Sequence, residues 1–172
     1  DGSPQARIEL TDRMYHAMRA ASDAVTRELL HDVTMRNVEL KLPVRETDGF
    51  DRESCIAALR AGEDDCGKLQ RPAFALAWRK RASEPIDLPV LQLGPATLLL
   101  LVSESFIEYQ LAAQQMRPDD FVMVMGYGNG APGYICTDIA YEQGGYESGR
   151  PAYTGVGAEA VMMDGLRAAL AT

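Results

Sequence analysis

Two short apolar runs stand out in the second half of the chain, at 98–102 and 121–126, and each ends in a polar segment. Strands that are apolar along their whole length are typical of a sheet covered on both faces. In such sheets, ligands bind outside the carboxyl ends of the strands. Glu104 follows the first run and the glycine-rich loop 126–134 follows the second, so both are predicted to lie at one edge of the sheet. The functional site is predicted at the same edge.

The remaining pattern predicts an α/β fold, a mixed sheet of about four strands flanked by helices. Residues 33–44 alternate as a half-buried strand, and the Gly94-Pro95 turn predicts an antiparallel hairpin between Ile86–Leu93 and 96–102. The segment 121–125 returns through a helix, which predicts a parallel neighbour for 96–102. Helical periodicity predicts helices over about 8–30, 52–61, 70–82, 106–116, 138–143 and 156–171. Gly62 to Gly67 is predicted as an acidic loop, and without any linker the chain 1–172 is predicted to be a single domain.

Composition excludes several classes of partner. The net charge of −8 over 172 residues argues against binding to nucleic acid or to an anionic membrane surface. No apolar run approaches about 18 residues, so no transmembrane segment is predicted. The three cysteines lack metal-binding spacing, and free thiols are favoured over a disulfide between Cys55 and Cys66.

Glu104 has two interpretations. It stands just before the helix expected near Phe106, where a carboxylate can cap unpaired N–H groups. Alternatively, a carboxylate at the end of a buried strand is partly desolvated and suited to bind a metal ion or act as a general base.

The loop 126–134 contains four glycines, which let the backbone approach a ligand or adopt a positive φ. It is neither a Walker loop nor a dinucleotide-binding fingerprint, because the following residues and the glycine spacing do not fit. Tyr134 at its end is interpreted either as half-buried packing or as a hydrogen-bond donor or metal ligand. The candidate substrate-binding residues are Gly128, Asn129, Gly130 and, in a tyrosine-rich rim, Tyr141.

Taken together, these residues resemble the neutral/alkaline non-lysosomal ceramidases, and more closely the bacterial ceramidase-like branch. The resemblance lies in a strand followed by Glu104, then in FIEYQLAAQQMRPDDFVMVMGYGNGAPGYICT and AYEQGGYE. It covers roughly 86–150 and is faint before that. Members of this family are zinc-dependent amidases that hydrolyse the N-acyl bond of ceramide, with zinc held by two His, one Glu and one Tyr. The resemblance implies that Glu104 and Tyr134 are metal ligands, with Tyr134 also catalytic.

The chain also departs from the family pattern. The Pro-Gly before the family's glutamate is replaced by Val102-Ser103, so the turn that presents the carboxylate is expected to differ. The only histidines are His16 and His31, and neither lies in a ligand motif. The chain is therefore predicted to be the carboxyl-terminal part of a larger catalytic domain. The upstream part would supply the missing ligands, because zinc normally takes three or four protein ligands.

Two functions follow. The first is part of a zinc-dependent hydrolase acting on a small-molecule or lipid amide, inactive without the upstream part of the same protein. The alternative is a non-catalytic α/β module that binds a ligand or another protein, in which Glu104 only caps a helix.

Overall fold

The computed structural model describes residues 3–27, 29–61, 66–130, 132–149 and 151–171. The chain falls into two compact units, Asp1–His31 and Asp32–Thr172. The sequence predicts no boundary at this point, and the single domain stays a prediction.

The described residues of the first unit contain one helix, α1, Pro4–Asp23. It begins earlier than predicted because Ser3 is a good N-cap: its side chain accepts a hydrogen bond from the N–H of Ala6, and Pro4 fits the first helical turn. It also ends earlier, just before the β-branched pair Val25 and Thr26, which have low helix propensity.

The described part of the second unit contains five helices and six short strands. The strands are β1 Val33–Leu40, β2 Ile86–Leu93, β3 Ala96–Leu100, β4 Glu104–Ser105, β5 Phe121–Met125 and β6 Tyr134–Ile135. The helices are α2 Arg52–Arg60, α3 Cys66–Arg81, α4 Ile107–Met116, α5 Asp138–Gln143 and α6 Ala158–Leu170.

The main sheet has the order β1-β2-β3-β5, which confirms the predicted mixed sheet of four strands flanked by helices. β2 and β3 form the predicted antiparallel hairpin around Gly94, and β3 pairs with β5 in parallel. β3 and β5 therefore both end at the edge that carries Glu104 and the glycine loop.

One face of this sheet carries the hydrophobic core. The helices α4 and α6 pack on it, and its largest fully buried side chains include Leu88, Leu99, Met162 and Leu166. The prediction that both faces are covered is wrong for β5 among the described residues: Met123 and Met125 are exposed, whereas Leu98 and Leu100 of β3 are half-buried. An apolar run of five residues is compatible with burial of both faces of a strand, but it does not establish that both faces are buried.

Smaller differences concern the ends of elements. α3 begins at Cys66, four residues before the predicted start, so Cys66 and Gly67 are helical. The rest of the predicted acidic loop, 62–65, lies outside the described residues. All three cysteines are free, as favoured from the sequence. A search of the described residues finds no helix with the length and apolar character needed to cross a membrane.

Candidate functional site

Glu104 and Tyr134 face each other across a separate two-stranded ladder. β4 pairs with β6 in parallel, and its register places Glu104 opposite Tyr134 and Ser105 opposite Ile135. Residues directly opposite each other on neighbouring strands project to the same side. The ladder therefore brings together the two residues that the sequence selected, although 30 positions separate them along the chain.

A tight turn before Glu104 presents its carboxylate. Ser103 adopts a φ of 50°, in the left-handed region where glycine is favoured. Its hydroxyl donates a 2.7 Å hydrogen bond to the carbonyl of Gly133, which adjoins Tyr134. The serine side chain thus links this turn to the partner strand, and its difference from the family's Pro-Gly turn stays a prediction.

Glu104 does not cap the following helix. The N-cap of α4 is Phe106, and none of the described side chains makes a capping hydrogen bond there. The hydroxyl of Ser105 donates instead to the carbonyl of Val102. The capping interpretation is therefore wrong, and the carboxylate projects into an open cleft.

This acidic cleft has a volume of about 450 Å³. Its polar lining consists mainly of carboxylates and phenols, from Glu104, Glu108, Tyr127, Tyr134 and Glu147. None of the described lysines or arginines lines it. Such a surface attracts a cation or a hydrogen-bond donor rather than an anion.

Two tyrosines lie beside the Glu104 carboxylate, and one of them, Tyr127, hydrogen-bonds it. The hydroxyl of Tyr127 donates to Oε1 at 2.9 Å, and this bond raises the pKa of Tyr127. The neighbouring Glu104 carboxylate likewise raises the pKa of the Tyr134 phenol, to about 12. The negative carboxylate opposes formation of a second negative charge beside it, so both phenols are protonated at neutral pH.

A second cleft, of about 430 Å³, adjoins the acidic cleft at Glu104 and Tyr127. It shares these two residues with the acidic cleft. The rest of its lining is more apolar and includes Phe74, Pro151, Tyr153 and glycines of the 126–134 loop. We call it the aromatic cleft.

The glycines of this loop are explained largely by close packing within the chain. A Cβ at Gly128 would lie 2.4 Å from the carbonyl oxygen of Leu101, and one at Gly133 would lie 1.6 Å from that of Pro151. Gly133 and Gly130 also adopt positive φ values, of 73° and 78°. Gly128 and Gly130 do line the aromatic cleft, so their predicted contact with substrate stays a prediction.

The structure does not bring the other two substrate-binding candidates to either cleft. The side chain of Asn129 is exposed and donates weakly, at 3.4 Å, to the carbonyl of Asp87. Tyr141 is half-buried, and its hydroxyl donates to the carbonyl of Thr154 at 2.7 Å. Tyr146, five residues further along the chain, does reach the site, with its ring 6.2 Å from that of Tyr134.

A buried arginine supports the segment behind Tyr134. Arg45 donates to the carbonyls of Ser148 and Gly149 at 2.8 Å and to that of Ala152 at 3.3 Å. Ala152 in turn bridges to Gly133, and the N–H of Tyr134 donates to the carbonyl of Pro151. Arg45 thus stabilises the backbone that sets the position of β6.

Two oxygen donors suit a metal ion but do not complete a zinc site. Zinc binds carboxylate oxygens and normally needs three or four protein ligands. The described residues contain no group of three His, Cys, Asp or Glu side chains that could hold a metal. Cys136 is no substitute, since it is buried and burial raises the pKa of its thiol to about 11.

Sequence comparisons find no protein-family model and no curated protein that matches this chain. Among solved structures, the chain is similar to the crystal structure of neutral ceramidase from Pseudomonas aeruginosa, with a TM-score of 0.52 and 16% sequence identity. The match covers 87% of this chain but only 30% of the ceramidase chain. At this identity the likeness concerns the fold alone: the chain has the fold of one part of that ceramidase.

Proposed function

We propose that residues 32–172 are the glutamate- and tyrosine-bearing part of a metal-dependent amide hydrolase that resembles neutral ceramidase. The observation that carries the proposal is the in-register pairing of Glu104 with Tyr134 at the edge of one acidic cleft. The shared fold supports it, because the solved neighbour is named as a ceramidase.

Each residue has a role in this proposal. Glu104 offers a carboxylate oxygen to the metal, in a cleft whose other acidic groups also favour a cation. Tyr134, protonated at neutral pH, supplies a phenol oxygen to complete the shell or a hydrogen bond to the oxyanion that forms when the amide is attacked. A bound zinc ion would supply an activated water and polarise the amide carbonyl.

The remaining donors are proposed to come from outside this chain. The match to 30% of the ceramidase chain leaves room for them, and the two oxygen donors found here are too few for tight zinc binding. We expect the gene that encodes this chain to contain, upstream, two histidines in metal-ligand motifs. A small-molecule or lipid amide is the proposed substrate.

The first test uses the 172-residue chain alone. Incubated with zinc and a short N-acyl amide, it should show no turnover above that of a Glu104→Ala control. Turnover that depends on Glu104 would contradict the proposal that further ligands are required.

The second test uses the longer protein encoded by the gene. It should retain about one zinc ion per chain after dialysis and hydrolyse an N-acyl amide, and both properties should be lost in Glu104→Gln. Tyr134→Phe should keep the fold but lose activity. A long protein that binds no metal at this site would end the proposal.

The incomplete donor set favours one alternative, a non-catalytic module that binds a cation or a small polar ligand in the acidic cleft. The two functions make different predictions about the protein sequence that the gene encodes upstream of this chain. An encoding gene without upstream histidines, combined with weak cation binding that depends on Glu104, would support the module.

A further inference from the structure

Tyr127 occupies a conformation that its own packing does not explain. Its φ is 60°, in the left-handed region, where a bulky aromatic residue is rare and strained. Its side chain is 76% exposed, so burial of the ring cannot offset this strain. Such a position is kept only where other contacts fix it, and these outliers cluster at functional sites.

Two hydrogen bonds join Tyr127 to Ser103 and Glu104. Its backbone N–H donates a 2.7 Å hydrogen bond to the carbonyl of Ser103, the residue just before Glu104. Its hydroxyl donates to Oε1 of Glu104 at 2.9 Å. The end of β5 is thus tied twice to the start of β4, once through the backbone and once through the carboxylate.

We propose that Tyr127 is a positioning residue for Glu104: its hydroxyl holds one carboxylate oxygen, Oε1, so that the other oxygen faces the ligand. This inference rests on the proposed function and adds a residue to it. Carboxylates that bind metals are themselves commonly hydrogen-bonded, and loss of such a bond weakens metal affinity. The left-handed backbone directs the phenol, which stays exposed to solvent, toward the carboxylate.

Tyr127 also contributes to both clefts. It and Glu104 are the residues common to the linings of the acidic cleft and the aromatic cleft. A ligand bound to Glu104 would therefore adjoin both the acidic cleft and the aromatic cleft.

The test is a zinc titration of the 172-residue chain, followed by the ¹³C chemical shift of the labelled Tyr134 ring. This signal reports binding at the site even when affinity is weak, and Tyr134→Phe identifies it. Tyr127→Phe removes only the hydroxyl and should raise the zinc concentration for half-saturation by about tenfold or more. Tyr15→Phe, in the other unit, is the matched control and should leave the midpoint unchanged.

Two further variants keep the result interpretable. Tyr127→Gly removes the hydroxyl and also relieves the strained φ. It should raise the zinc concentration for half-saturation as much as Tyr127→Phe does, which would assign the effect to the missing hydroxyl and not to a folding defect. Glu104→Gln should abolish the zinc-dependent shift of Tyr134.

The outcomes distinguish this inference from the proposed function. A midpoint for Tyr127→Phe within twofold of the wild type, or a lower one, would overturn the positioning role. A Glu104→Gln variant that binds zinc at the wild-type midpoint would instead overturn the role of Glu104. Tighter binding in Tyr127→Phe would mean that the phenol competes with the cation.

Discussion

The main sheet and the β4–β6 ladder are stabilised in different ways. The main sheet buries Leu88, Val90 and Leu99 under two helices, so its position is set by a hydrophobic core. The ladder is only two residues long on each side. Of its residues, Ile135 joins the hydrophobic core, and polar contacts from distant parts of the chain hold the adjoining backbone. The main sheet is thus stabilised by many buried side chains, whereas the ladder depends on a few individual residues.

The largest expected effect is that of Arg45→Ala, which removes the donor to three backbone carbonyls behind β6. Buried carbonyls left without a charged donor should cost about 4 kcal/mol of the free energy of unfolding. Amide hydrogen exchange should show opening concentrated at Tyr134, Ile135 and Tyr153. The exposed Arg167→Ala serves as the control and should change stability by less than about 0.5 kcal/mol. Equal loss of protection in the main sheet would contradict the separation of the two regions.

Leu99→Ala should destabilise the main sheet and leave the β4–β6 ladder unchanged. Its side chain is fully buried, so truncation leaves a cavity and should cost about 3 kcal/mol in urea unfolding. The interaction between Glu104 and Tyr134 should survive in the molecules that stay folded, and the Tyr134 ring signal by NMR reports it. A displaced Tyr134 signal would show that the core and the ladder are coupled.

The smallest effect concerns the turn at Ser103. Ser103→Gly loses the hydroxyl bond to Gly133 but fits the positive φ, whereas Ser103→Ala loses the bond and keeps the strain. The alanine variant should therefore be less stable than the glycine variant by about 1 kcal/mol. The reverse order in urea unfolding would mean that the turn does not hold a left-handed conformation.

The sequence predicted the main sheet well because its strands and helices are long enough to show a hydrophobic period. β2, β3, α4 and β5 all lie within a few residues of their predicted bounds. Exposure of Met123 and Met125 was not predictable, since an apolar strand has the same pattern whether one face or both are covered.

The site was predicted in part. The edge of the sheet follows from strand polarity, and Glu104 and Tyr134 were selected by a resemblance rather than by any periodic pattern. A two-residue strand has no period, so the ladder itself gives no signal in the sequence. Arg45 acts over more than 100 positions, which local patterns cannot show. Tyr127 did leave a signal, an aromatic residue between two glycines in a loop, because loops carry functional residues disproportionately.

The ionisation of Tyr134 tests most directly whether Glu104 and Tyr134 form one donor pair. With a pKa of about 12, the Tyr134 phenol should be only about one-tenth ionised at pH 11, read from its ¹³Cζ shift while circular dichroism confirms the fold. In Glu104→Gln the carboxylate charge is gone, so the pKa should fall toward the ordinary value of about 10 and the phenol should be mostly ionised. An equal degree of ionisation in both proteins would show that the two side chains do not meet.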